Sequence, residues 1–113
     1  VADCIFCRII AGEVPADFVH QDDLVVAFRD INPVAPVHIL LVPRRHLTSL
    51  AEITEEDRLW LARLQEVAAE LARHKKVAES GFRMVLNCGP DAGQEVPHLH
   101  YHLIGGRKLG RIG

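Results

Sequence analysis

Three histidines at a strict spacing of two restrict this chain more than any other feature: His98, His100 and His102 in the run Pro97-His98-Leu99-His100-Tyr101-His102-Leu103-Ile104-Gly105-Gly106. In a β-strand successive side chains point to opposite faces, so the imidazoles line one face and Leu99, Tyr101 and Leu103 the other. The apolar face then packs on a core. Pro97 suits the first position of a strand, and the Gly105-Gly106 pair stops it. A plainer reading takes the run as a half-exposed strand with titratable decoration. It is disfavoured because three imidazoles in register repel one another when protonated.

A chain of 113 residues can close one hydrophobic core, so a single domain over residues 1–113 is expected. With 49% hydrophobic residues and a formal charge of -2, the composition is that of an ordinary soluble protein and argues against a polyanion-binding surface. Neither nucleic acid nor membrane is expected as a partner. No apolar run reaches the length of a membrane span and no secretory signal pattern is present, so a cytoplasmic address is the expectation. Cys4-x-x-Cys7 in such a setting points to metal or redox chemistry more than to a structural disulfide. Cys88 reads as a small core residue.

Along the chain, Ile5, Phe6, Ile9 and Ile10 recur at helical spacing and predict a short helix over Cys4 to Ala11, with Asp3 to cap it and Gly12 to end it. Phe18-Val19-His20 and Leu24 to Arg29 flank the polar Gln21-Asp22-Asp23 and predict a hairpin. The prolines of Asn32-Pro33-Val34-Ala35-Pro36 require an irregular connection before a strand over His38 to Val42. Arg44 and Arg45 read as a solvated surface pair. One long helix is expected from an N-cap at Thr54, through acidic Glu55, Glu56 and Asp57, to a stop at Gly81. Its apolar stripe is Trp60, Leu64, Val67 and Leu71, while His74 near its end complements the helix dipole. Phe82 to Cys88 is a further strand, and the turn-rich Gly89 to Glu95 delivers the chain to the triple-histidine run. The class is therefore α+β: an antiparallel sheet of about five strands with one long and one short helix.

Imidazole serves as nucleophile, acid, base or metal ligand near neutral pH, so the three histidines admit two chemistries. Histidines two apart on a strand can chelate a catalytic metal. Alternatively one imidazole attacks phosphorus while its neighbours bind the phosphoryl oxygens and protonate the leaving group. The glycines of the preceding loop would let backbone N–H groups approach an anion closely, although no Walker or Rossmann glycine pattern is present.

The pattern His-φ-His-φ-His-φ-φ, with φ apolar, resembles the signature of the histidine triad family of nucleotide hydrolases and transferases. Ile5-Phe6-Cys7-Arg8-Ile9-Ile10, Ala27-Phe28-Arg29-Asp30-Ile31, Ala35-Pro36-Val37-His38, Val42-Pro43-Arg44-Arg45-His46, Asn87-Cys88-Gly89 and Ala92-Gly93-Gln94 are similar, in order and spacing, to its Hint branch. The resemblance favours the covalent chemistry and a purine nucleoside phosphoramidase. It implies His100 as nucleophile, His102 on the phosphate or leaving group, and His38 and Asn87 in support. Ile5, Phe6, Ile9, Phe28 and Ile31 would wall the purine, Asp30 would accept the ribose hydroxyls, and Gln94 with the backbone around Gly93 and Val96 would take the phosphate. Glu95 stands where many relatives carry serine, adding negative charge beside that phosphate. Some members with this C-x-x-C hold a zinc, a structural one here if it maps to Cys4, Cys7, His46 and His98; no organic cofactor is implied. A homodimer and a purine nucleotide substrate complete the expectation. A dinucleoside polyphosphate hydrolase of the Fhit-like branch and a nucleotide-binding regulator are the alternatives.

Overall fold

The computed structural model describes residues 3–112. In chain order it contains α1 (Ile5–Ile10), β1 (Phe18–Gln21), β2 (Val25–Arg29), β3 (Val37–Pro43), α2 (Arg58–His74), β4 (Phe82–Leu86) and β5 (Tyr101–Gly105), with short 3-10 turns between them. The strands form one antiparallel sheet in the order β1-β2-β3-β5-β4. Among the described residues no helix is long and apolar enough to cross a membrane.

The two-residue period of the central strands divides the side chains between two cores. Ile39 and Leu41 of β3 and Leu103 of β5 turn toward α2, where they meet Trp60, Leu64, Val67 and Leu71, all at most 6% exposed. Burying such side chains contributes about 1.5–3 kcal/mol each, so this stripe dominates the stability of the fold. Leu40 and Val42 face the other way and pack with Phe28 against Phe6 and Ile9 of α1. β3 is buried on both faces because it lies mid-sheet with a helix on either side.

Several local features differ from the expectations above. Cys4, not Asp3, caps α1: its Sγ accepts the Cys7 N–H at 3.3 Å. The long helix ends at His74 and not at Gly81. Lys76 adopts φ +63, and the N–H groups of Val77 and Lys76 return to Ala72 and Arg73 at 2.9 and 3.1 Å. These two bonds form a Schellman termination in which lysine holds the left-handed position usually taken by glycine, with buried Val77 as its apolar contact. Thr54 and Asp57 form a reciprocal capping box over a single 3-10 turn that leads into α2.

Arg44 and Arg45 are both tethered, although Arg45 remains half-exposed. Arg44 donates to the Asp22 carbonyl at 2.6 Å, and Arg45 reaches the fully buried Asp57 at 2.9 Å. The Asp57 carboxylate also accepts from Trp60 Nε1 at 2.8 Å and the Thr54 amide at 3.0 Å, so its burial leaves no charge uncompensated. Cys88 is exposed and not in the core. β4 stops at Leu86, so the alternation that would turn Cys88 inward has already ended.

Candidate active site

The triple-histidine run enters the sheet later than its sequence suggests. β5 begins at Tyr101; the segment before it is held by Leu99 N–H on the Leu47 carbonyl at 2.7 Å. The alternation persists through this irregular stretch. Leu99 and Leu103 lie in the α2 core, while His98, His100 and His102 occupy the opposite face with Phe6 packed edge-on to the rings of His98 and His100. His102 pairs in register with Leu40, and His38 lies two residues before it on β3, so the sheet brings His38 and His102 onto one face.

The hydrogen bonds fix the tautomer of each catalytic candidate. Nδ1 of His100 lies 2.8 Å from the carbonyl of His98; a carbonyl only accepts, so Nδ1 carries the proton and Nε2 keeps a free lone pair. Burial lowers the pKa of His100 below its ordinary 6.5, against the opposing pull of the His98 carbonyl and the Asp30 charge. The Val34 N–H donates to Nδ1 of His38 at 3.1 Å, which leaves the His38 proton on Nε2. That Nε2–H donates in turn to Nδ1 of His102 at 2.9 Å, with Asp30 Oδ2 at 3.4 Å. The remaining His102 proton therefore sits on Nε2. Burial and the neighbouring His100 and His38 rings push His102 down to about 4, so it is neutral at pH 7. A bare Nε2 on one imidazole lies beside an Nε2–H on the next, with centroids 5.1 Å apart, an arrangement that can offer a lone pair and a proton to one group.

A second cluster adjoins the first. Ligand atoms of Cys4, Cys7, His46 and His98 all lie within 4.8 Å of one another. Cys4 Sγ is 3.3 Å from His98 Nδ1, Cys7 Sγ is 3.3 Å from His46 Nδ1, and the two Nδ1 atoms are 3.1 Å apart. A tetrahedral zinc with usual bond lengths spaces its ligands about 3.3–3.8 Å apart, close to these separations. Nε2 of His98 donates to the Pro43 carbonyl at 2.9 Å, which strips the proton from Nδ1 and aims its lone pair into the cluster. The donor set and its tautomer fit a closed metal site. Asp30, His38 and His102 also lie within 4.8 Å of one another, but the proton on His38 Nε2 makes that group a hydrogen-bonded relay.

The other candidates divide. Phe6, Ile9 and Phe28 are buried in the α1 core, with the Phe6 and Phe28 rings 5.6 Å apart; Ile5 is 39% and Ile31 90% exposed. Asp30 also ties its own loop, accepting the Asn32 N–H at 2.8 Å. Gln94 accepts from Gly89 N–H at 2.9 Å and gives both amide protons to the Thr48 and Val96 carbonyls at 2.7 and 3.0 Å. Its side chain therefore shapes the loop, in which Gly93 is left-handed and the Val96 carbonyl also accepts the His98 N–H at 2.8 Å. Asn87 follows β4 half-buried and Glu95 is exposed. The groups absent from the sequence reading are the Val34 amide and the Pro43 carbonyl. Both belong to the main chain; one follows Pro33 and the other is the carbonyl of a proline itself.

Residues 11–109 match the model of the HIT domain. The purine nucleoside phosphoramidase of Escherichia coli (strain K12) is 46% identical over 108 residues, covering 96% of this chain and 91% of that protein. A HIT-like protein of Synechococcus elongatus is 48% identical over 107 residues, with 95% and 93% covered. Among solved structures, a histidine triad protein from Clostridium difficile superposes with a TM-score of 0.95 at 46% identity, covering 100% of this chain and 98% of that one. A HIT family hydrolase from Legionella pneumophila Philadelphia 1 does so at 0.94 and 41%, with 96% of each chain covered.

Proposed function

Because this chain belongs to the HIT domain family, we propose that it hydrolyses purine nucleoside 5'-phosphoramidates, of the adenosine 5'-phosphoramidate kind, through a nucleotidyl intermediate on His100. The observation that carries the reading is the pair of opposed tautomers: a lone pair on His100 Nε2 beside a proton on His102 Nε2. In the first step His100 Nε2 bonds to phosphorus as the phosphorus–nitrogen bond to the amine breaks, and the departing amine takes the proton from His102 Nε2. The His98 carbonyl stabilises the positive ring so formed, because its hydrogen bond favours the charged imidazole. Burial opposes that charge, which keeps the adduct reactive toward water. Water then attacks phosphorus and returns a proton to His102 Nε2 as the phosphorus–nitrogen bond to His100 breaks, and the nucleoside monophosphate leaves.

In this reading Phe6, Ile9 and Phe28, with Ile5 and Ile31 at the rim, hold the purine, and Asp30 accepts the ribose hydroxyls. The Gly93 to Val96 backbone binds phosphate in a loop braced by Gln94, with Asn87 and Glu95 at its border. Cys4, Cys7, His46 and His98 hold zinc, which when bound ties α1 to the triad strand as a structural clamp. Two copies pair into a homodimer; the sheet offers β1 and β4 as its edges. Light scattering that finds only monomer at micromolar concentration removes this last element.

Purified protein incubated with adenosine 5'-phosphoramidate, with a diadenosine polyphosphate and with AMP separates the alternatives. Rapid release of AMP from the phosphoramidate is the expected result. Preferential cleavage of the dinucleotide, or tight AMP binding with negligible turnover of either compound, overturns the reading.

A further inference from the structure

The network that fixes the His102 proton does not end at His38. Val34, whose N–H occupies His38 Nδ1, is held at its carbonyl by Arg107 Nη2 at 2.8 Å, across 73 residues of sequence. A second contact joins the same two segments. Gly106 has φ +94, and a Cβ placed there would lie 2.9 Å from Pro36 Cβ, so the turn after β5 rests directly on the loop that carries Val34. Arg83 Nη2 pins the following tail at the Gly110 carbonyl, 2.7 Å away. Since Val34 is 56% exposed, its side chain contributes little to holding the loop.

We infer that Arg107 is a positioning residue: by holding the Val34 carbonyl it orients the Val34 N–H onto His38 Nδ1, and so keeps the catalytic proton on His102 Nε2. A peptide plane is rigid, and the carbonyl of Val34 and its N–H belong to adjacent planes flanking one Cα. Fixing the carbonyl limits rotation about that Cα and hence the direction of the N–H. Without the Val34 bond, neutral His38 can place its proton on either nitrogen. In the Nδ1–H form, Nε2 of His38 becomes an acceptor facing Nδ1 of His102. His102 must then put its proton on Nδ1, and Nε2 toward the phosphate has none to give.

The inference depends on the phosphoramidase reading only for its kinetic arm. Arg107→Ala, Arg107→Lys and the wild type are compared by two-bond proton–nitrogen imidazole spectra and by turnover of adenosine 5'-phosphoramidate. The wild type is expected to show His38 in the Nε2–H form. Arg107→Ala should show both His38 tautomers and a kcat lower by about three- to tenfold with KM unchanged, a loss of up to one power of ten in rate. Lysine, which can also donate to the Val34 carbonyl, should give an intermediate spectrum, and guanidinium added to the alanine variant should restore both readings. An unchanged His38 spectrum in Arg107→Ala, or a wild type whose His38 is not Nε2–H, overturns the inference. If the spectra respond while the wild type releases no AMP, the inference stands and the phosphoramidase reading falls.

Discussion

His98 gives its main-chain carbonyl to the Nδ1–H of His100 at 2.8 Å while its own ring Nδ1 faces Cys4 Sγ at 3.3 Å. One residue thus belongs to the cysteine cluster through its side chain and holds the His100 ring through its backbone. Protein purified without chelators is expected to contain about one zinc per chain, as one four-ligand site requires. Cys4→Ser with Cys7→Ser should abolish the metal and lower the unfolding temperature, since binding to the folded state alone is folding free energy. Elemental analysis and a thermal melt check this; a wild type free of zinc removes the assignment.

Acid should weaken the fold in two separate windows. His102 is pushed from 6.5 down to about 4 by burial and by the His100 and His38 rings, so the unfolded chain takes up a proton more readily than the folded one. Its contribution is complete above pH 6.5 and is lost as pH falls toward about 4. Asp22 is lowered as well, but by its partners and not by burial. Burial raises its pKa, but His20, the Leu24 and Val25 amides and Arg63 outweigh that and hold it well below its ordinary 3.8. Its contribution persists above 3.8 and is lost only as pH falls further. Denaturant titrations of the wild type, His102→Gln and Asp22→Asn across pH 2–8 should separate the windows: the glutamine variant makes the upper one shallower, with the lowered His100 still contributing there, and the asparagine variant makes the lower one shallower.

Two leucines of α2 offer a direct test of its orientation. Leu64 is fully buried against the sheet and Leu59 is 70% exposed. Leu64→Ala should cost about 2–5 kcal/mol, as cavity-forming core substitutions do. Leu59→Ala should stay within about 0.5 kcal/mol, the usual range for a surface change. Urea unfolding midpoints measure both, and comparable losses would contradict the packing described.

The legibility of these features follows their physical origin. The stripe Trp60, Leu64, Val67 and Leu71 and the alternation of His98 to Leu103 were readable because burial periodicity is written in side-chain type. The end of α2 was not readable, since lysine at Lys76 takes a conformation normally flagged by glycine. Arg45 is half-exposed, and its ion pair is not legible because Asp57 reads in the sequence as a helix-dipole residue; only the tertiary fold shows the carboxylate buried. The contacts that set the His38 and His98 tautomers come from the Val34 amide and Pro43 carbonyl, groups every residue or nearly every residue possesses. The sequence named the imidazoles; their protons are fixed by the backbone around them.

The central claim is that His100 Nε2 bonds to phosphorus. Rapid quenching of the wild type with adenosine 5'-phosphoramidate, followed by peptide mass spectrometry under mildly alkaline conditions, tests it at the atom concerned. An acid-labile nucleotidyl group on the peptide containing His100 is expected, together with near-complete loss of turnover in His100→Ala and retained nucleotide binding. A residue acting only in proton transfer would lose about a hundred- to ten-thousand-fold and leave no adduct. If His100→Ala keeps most of its activity, or if turnover disappears only when metal is stripped and no adduct forms under any quench, covalent catalysis by His100 is contradicted.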